Sequence, residues 1–365
     1  MPTTAPTHAE SLPDGAGAPS PLARLLRAWD SFWFTPSDGL GLHVVRACTG
    51  ILLLSWLLGF LGHQGALFGM DGWVDRQAYR ELLGLPEGPP APIGWSPIFL
   101  ASSPWFAHLL YGGSMLVLVL FTLGIATRLT SVLTWLVVIA FTSNPALSYG
   151  GDVLLLILSF YLMVGYLLYG LHSQPRSARN LLLGSRDAEF FARWRSSDEG
   201  RTKSTAATIA LRLLQIHIAI VIFVSGLHKL QISVWWAGLA LWFPLFPPFE
   251  TTLEEVLAIK ESGQPLLLMF AINIATYAVL AWQICFPFMA WKNGARPLVL
   301  GGAFLGWLGC SLLFGLPLFG PALLIGCLSF VPGTTWRRWL SRTPMPSETP
   351  AVPQREPLAS ASARG

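Results

Sequence analysis

The sequence predicts an all-α, polytopic helical membrane protein with about eight transmembrane helices, a re-entrant or interfacial segment, and both termini on the inner side. Three observations carry this expectation. The 365 residues are 53% hydrophobic and only 12% charged, with a mean hydropathy of +0.55, which leaves too little charge to coat a water-facing surface. The apolar residues fall in runs of roughly 15 to 25, long enough to cross a hydrocarbon core of about 30 Å as helices. The basic residues gather in short connections beside those runs, following the positive-inside rule. That pattern, rather than binding to nucleic acid, accounts for the net charge of +4 and the pI near 9.0.

Residues 1–22 read as a disordered tail: MPTTAPTHAESLPDGAGAPS has neither a basic n-region nor an apolar h-region, so no cleavable signal is expected. Residues 23–338 read as one transmembrane helical domain, and 343–365, rich in Pro, Ser and Ala, as a second tail. LLRAWDSFWF suits an interfacial helix leading into span one, 41–61. A polar loop follows over 62–104, where LPEGPPAPIGWSP forbids a continuous helix. Spans two and three, 105–126 and 129–144, form a tight hairpin with Thr127 and Arg128 in its turn. Span four, 152–171, follows SYGGD and leads to a loop carrying Arg176, Arg179, Arg186, Arg193, Arg195, Arg201 and Lys203. Span five covers 206–230. The next stretch, WWAGLALWFPLFPPF, is too short and too proline-broken to cross and reads as the re-entrant or interfacial segment. Spans six, seven and eight cover 265–291, 297–314 and 316–331, and Pro317 and Pro321 leave the start of the last one open.

An even number of spans returns both termini to one side. Arg24 and Arg27, Arg128, the basic loop, Lys292 with Arg296, and Arg337 with Arg338 and Arg342 then fall inside, while the long acidic loops fall outside. The expected location is a cell membrane, crossed several times, as in the bacterial inner membrane.

Ionisable groups cost about 2.5–3.5 kcal/mol each at the centre of a span, so each one asks for a partner or a function. His43 and Arg46 sit one turn apart in span one, Asp152 opens span four, and Arg212, His217, His228 and Lys229 lie in span five. His217 and His228 point within roughly 20° of each other on an ideal helix, and Lys229 adjoins His228 at the outer end. A lysine in a partly apolar pocket is a candidate general base, with His228 as a second catalytic candidate. The alternative is that Lys229 snorkels to the interface or pairs with an acid. For Arg46 and Arg212, near the inner surface, snorkelling or contact with lipid phosphate is expected.

Asp152 either partners a buried cation or caps span four. Trp235 and Trp236, with Trp242, either wall a pocket for a flat hydrophobic ligand or belong to an aromatic belt. Asp152, His217, Trp235 and Trp236 make up the ligand-pocket candidates. Cys48, Cys285, Cys310 and Cys327 lie in apolar runs without metal-ligand spacing and read as packing residues, so no metal site is expected. No Walker loop, dinucleotide fingerprint, H-E-x-x-H or G-x-S-x-G sequence is present.

Three segments, RACTGILLLSW, TLGIATRLTSVLTWLVVIAFTSNPALSYGGDVLLLILSFYLM and RLLQIHIAIVIFVSGLHKLQISVWWAGLALWF, resemble in order the HTTM (horizontally transferred transmembrane) domain family. That family is related to the membrane domain of vitamin K-dependent gamma-carboxylase. The resemblance covers most of 40–332, and its most specific pieces are NPALSYGGDVLL and SGLHKL with the tryptophan-rich stretch after it. It implies that Lys229 matches the lysine that, in the carboxylase, deprotonates reduced vitamin K, whose reaction with oxygen gives an epoxide and a strong base.

Two departures stand against glutamate carboxylation. The large lumenal domain that follows the membrane domain in the carboxylase is not expected after span eight. Many members also carry a histidine in the penultimate helix before a GLGLF-type segment, and alignment on GLPLF at Gly315 places Trp307 there. The resemblance thus implies a quinone-binding or quinone-oxidising membrane protein, with a reduced, vitamin K-like quinone as its small-molecule partner. A second class is a non-enzymatic membrane partner in the maturation or export of a secreted peptide, docking on the acidic outer loops. A transporter ranks third, for want of an internal repeat or of an acidic cluster in the spans.

Overall fold

A computed structural model describes residues 20–68, 104–144, 151–169, 203–247, 249–263 and 265–340, together with positions 72, 81 and 84. Most of the long polar loop, the arginines of the basic loop, Gly150 and both tails beyond these bounds lie outside the described residues.

The chain enters through α1 (Pro21–Phe34). Ser20 starts this helix by accepting a bond from the Ala23 N–H at 3.2 Å, and the proline at the first turn needs no donor. Its start lies two residues inside the stretch expected to be a tail. None of its residues is buried, and Leu22, Leu25, Leu26 and Trp29 are exposed beside Arg24 and Arg27, as befits a helix lying in an interface. A two-residue strand, β1 (Ser37–Asp38), then pairs antiparallel with β2 (Lys203–Ser204).

The helices that follow are α2 (Leu40–Leu58), α3 (Gln64–Phe68), α4 (Pro104–Leu123), α5 (Thr127–Thr142), α6 (Asp152–Tyr169) and α7 (Thr205–Lys229). Two single turns, α8 (Ser233–Trp236) and α9 (Trp242–Leu245), precede α10 (Leu253–Glu261), α11 (Pro265–Met289), α12 (Arg296–Leu312), α13 (Phe319–Leu328) and α14 (Gly333–Leu340). Five of these, α2, α4, α6, α7 and α11, are long and apolar enough to cross a membrane, which makes this an all-α, multi-pass membrane protein.

α5 and α12 are apolar but shorter, and α13 has only ten residues before the chain bends by 104° into α14. The expected span over 316–331 is thus cut short at both ends. Pro317 precedes the helix, Pro321 sits harmlessly in its first turn, and Ser329–Val331 form the bend. The hairpin turn also differs from expectation. Gly124, at φ 80°, and Ala126, at φ 50°, make it, and Thr127 and Arg128 already belong to α5.

Cross-helix contacts show neighbours running antiparallel. Arg46 on α2 reaches the Phe121 carbonyl near the end of α4, while the Tyr111 hydroxyl near the start of α4 donates to Leu57 O. Tyr161 and Gly165 on α6 meet His217 and Ala210 on α7. Gly226 and Gln215 on α7 meet Gln283 on α11 and Trp291 just beyond it. Gly326 on α13 packs on Ile218. The bundle therefore has two distinct ends. One gathers α1, the start of α7, the α11–α12 turn and α14; the other gathers the end of α7 with α8, α9 and α10. Within it α2 is central, with 67% of its apolar window buried, whereas α11 buries only 17% and is peripheral.

Candidate functional site

Lys229 closes α7, at the end of the bundle opposite α1. Its ammonium donates to Ser225 Oγ one turn back, at 2.8 Å, and lies 5.2 Å from the centre of the Trp235 ring. Gln283 of α11 donates to the same Ser225 hydroxyl at 3.5 Å. Cys310 of α12 is within electrostatic reach of the ammonium. Among the described residues no carboxylate stands within ion-pair distance of Lys229, which is half-buried.

Gly226 makes this cluster possible. A Cβ there would stand 3.0 Å from Gln283 Cβ and Ile284 Cδ1, so glycine lets α11 approach closely where Gln283 reaches Ser225. The Gln283 Oε1 atom is buried without a hydrogen-bond partner among the described residues, an acceptor left open beside the lysine.

The tryptophans play different parts. The Trp235 ring covers Lys229, whereas Trp236 is exposed, donating its ring N–H to Leu230 O at 2.6 Å and accepting at its carbonyl from Tyr277 of α11 at 2.5 Å. Gly238, at φ 71°, lies against Asn273 of the same helix. The stretch expected to be re-entrant or interfacial is thus two short, partly exposed helical turns, the first of them fastened to α11.

His217 and His228 share a helical direction but not a site. His217 hydrogen-bonds the Tyr161 hydroxyl through Nδ1 at 2.9 Å on the α6 face, while His228 is exposed about 16 Å along the helix from it. Asp152 opens α6, and the antiparallel match of α6 with α7 brings it to the same end as Lys229, without an ion pair between them.

Arg46 departs from the expected snorkelling. It is 3% exposed, donates to the Phe121 carbonyl at 2.7 Å and stacks 5.8 Å from the centre of the Tyr166 ring. Tyr166 also hydrogen-bonds His43 Nδ1 at 2.7 Å. The two polar residues of span one thus join a buried knot between α2, α4 and α6.

Ser225 and Gln283 were not singled out in the sequence, and Cys310 was read only as a packing residue. Ser225 had a signal in its place four residues before Lys229, and Gln283 in being one of the few polar residues of a long apolar run. Among the described residues no group of three His, Cys, Asp or Glu could hold a metal ion.

The chain matches no family model, no curated protein and no solved structure. At Lys229 an amine, a hydroxyl, an amide oxygen without a hydrogen-bond partner among the described residues and an aromatic face lie together beside the peripheral helix α11.

Proposed function

We propose that this protein is an HTTM-type membrane protein of eight passes, N-in and C-in, whose Lys229 serves as the base toward a reduced, vitamin K-like quinone, without glutamate carboxylase activity. The observation that carries the reading is the environment of Lys229: a half-buried amine held by Ser225 and covered by Trp235, with no carboxylate within ion-pair distance among the described residues. Five helices are long enough to cross, and counting the shorter apolar helices α5, α12 and α13 as further passes gives eight, while the arginines at the α1 end support an orientation in a cell membrane such as the bacterial inner membrane.

Bound there, a hydroquinone would supply an ionisable hydroxyl and a reducing ring. Overall, hydroquinone and dioxygen give quinone epoxide and water, with dioxygen as the oxidant. Lys229 accepts the hydroxyl proton at Nζ, Ser225 orients the amine, Trp235 shields it from water, and Gln283 Oε1 is placed to accept a bond from the ring's hydroxyl.

The test is oxygen-dependent epoxide formation by the purified chain with reduced naphthoquinones, comparing wild type with Lys229→Ala at equal folded yield. Turnover by wild type and its loss in the variant are expected. Folded wild type that neither binds nor turns over several quinones would overturn the reading and favour the peptide-maturation partner, for which the exposed acidic helix α10, with Glu254, Glu255 and Glu261, offers a docking face.

A further inference from the structure

A strongly charged concavity lies at the other end of the bundle. A cavity of about 350 Å³ opens between the β1 segment, the start of α7, the α11–α12 turn and the α13–α14 bend. Four cationic side chains line it, Lys203, Arg212, Arg296 and Arg337, against one carboxylate, Asp38. That carboxylate is already engaged, since Arg337 donates to its Oδ2 from Nη2 at 2.6 Å and from Nε at 3.1 Å. Lys203, Arg212 and Arg296 have no acidic partner among the described residues.

Both remaining guanidiniums are anchored by one edge only. Arg212 donates from Nη1 to Gln215 Oε1 at 3.0 Å and lies 4.4 Å from the centre of the Phe32 ring. Arg296 donates from Nε and Nη2 to the Ala290 and Trp291 carbonyls, at 3.2 and 3.3 Å. Each guanidinium carries five N–H donors, so most of them remain for a ligand. The two also lie within electrostatic reach of each other. A like-charged pair held in one concavity is unfavourable in the empty protein and becomes favourable once an anion bridges it.

The framework around the pair is fixed. Gln215 is buried, donates to Ser329 O at 2.7 Å and accepts from the Trp291 ring N–H at 3.3 Å, so it ties α7, α11 and the α13–α14 bend together behind Arg212. Two helices with exposed apolar side chains flank the mouth: α1 with Leu22, Leu25 and Trp29, and α14 with Trp339 beside Arg338. Such helices sit at headgroup depth, which puts the cavity where phosphate groups are most concentrated.

We propose that this cavity is a phosphate-binding site, with Arg212 and Arg296 clamping the phosphate oxygens and Lys203 adding charge, and that its ligand is the headgroup of an anionic phospholipid or a free phosphate compound.

The experiment uses the full purified chain in a zwitterionic detergent, titrated separately with inorganic phosphate, with short-chain phosphatidylglycerol and with short-chain phosphatidylcholine, and followed by intrinsic tryptophan fluorescence. Saturable binding of phosphatidylglycerol but not of phosphatidylcholine identifies a lipid headgroup. Saturable binding of inorganic phosphate that displaces the lipid identifies a free phosphate ligand as well, and either result supports the site.

Arg212→Gln with Arg296→Gln should weaken binding by about tenfold or more, whereas Arg338→Gln, on an exposed side chain outside the cavity, should change it by less than about twofold. Should the double variant fail to fold, Lys203→Gln carries the same comparison from an exposed position. Absence of saturable binding to both phosphate probes by wild type, equal binding of phosphatidylcholine, or equal weakening by Arg338→Gln would each overturn the proposal.

Discussion

The two ends of this bundle handle buried positive charge in opposite ways. At the α1 end, charge is plural and braced: Arg337 is locked to Asp38, Arg296 to two backbone carbonyls, and Arg212 to an amide and a ring. At the α10 end, one lysine is held by a single residue, Ser225, through its hydroxyl and more weakly its carbonyl, and by an aromatic face. A braced cation is suited to holding a fixed anion. A lightly held amine, whose hydroxyl partner can either accept or donate, is suited to gaining and losing a proton. On the two proposals above, the contrast sets binding at one end and chemistry at the other.

The largest effect that would sharpen this contrast is at Lys229. Lys229→Ala should lower epoxide formation by about 100-fold or more, the usual range for loss of a general base, while melting temperature and folded yield stay at wild-type values. A large loss of folded yield instead would make Lys229 a bracing residue like those at the α1 end and break the comparison.

Next in size is Arg46→Met, which removes the charged donor from the Phe121 carbonyl and leaves it only the Gly124 N–H at 3.1 Å. A charged hydrogen bond of this kind is worth roughly 1.5–3 kcal/mol, so thermal unfolding in detergent should fall by several degrees. An unchanged melting temperature would return Arg46 to the lipid-facing role expected from sequence. Gly50→Ala tests the packing beside it, because a Cβ there would lie 3.0 Å from Thr122 Cα. The cost should be roughly 1–3 kcal/mol, read by the same unfolding assay.

Smaller effects should stay local. Asp38→Asn removes the charge from the Arg337 pair and should speed amide exchange in 333–340 while leaving the α10 end untouched. Thr252→Ala breaks the capping box of α10, in which Thr252 N–H donates to Glu255 Oε2 at 2.9 Å and Glu255 N–H to Thr252 Oγ1 at 3.3 Å. It should fray that helix by about 1 kcal/mol, visible in amide exchange there and nowhere else.

The helices were legible in the sequence because crossing a membrane imposes a length on apolar runs. α2, α6, α7 and α11 begin or end within a few residues of the hydropathy boundaries for that reason. What hydropathy does not encode is rotation. Arg46 and Arg212 are both arginines near one end of a span, and only the packing of α4 and α6 around α2 buries the first while the second lines a cavity.

Sites assembled from distant segments were invisible for a related cause. Lys203, Arg212, Arg296 and Arg337 sit on four separate elements, and Cys310 comes within electrostatic reach of Lys229 from a helix about eighty residues later in the chain. Lys229 itself was legible, being a lone cation at the end of an apolar helix. Asp152 and the two histidines show the limit of spacing arguments: a shared helical direction placed His217 and His228 on one face, yet one meets Tyr161 and the other faces outward.

The clasp between Asp38 and Arg337 joins positions 299 residues apart, and Gly333 lies against Asp38 so tightly that a Cβ there would stand 2.5 Å from the Asp38 Cβ. At synthesis rates of roughly 5–20 residues per second, on the order of 15–60 s separate the emergence of the two partners. During that interval the helices made first wait with their basic end unlatched. Final assembly must therefore wait for the last helix to leave the ribosome, and a stop codon ahead of Gly333 would yield a chain with inserted helices and no latch, a form open to membrane quality-control proteases.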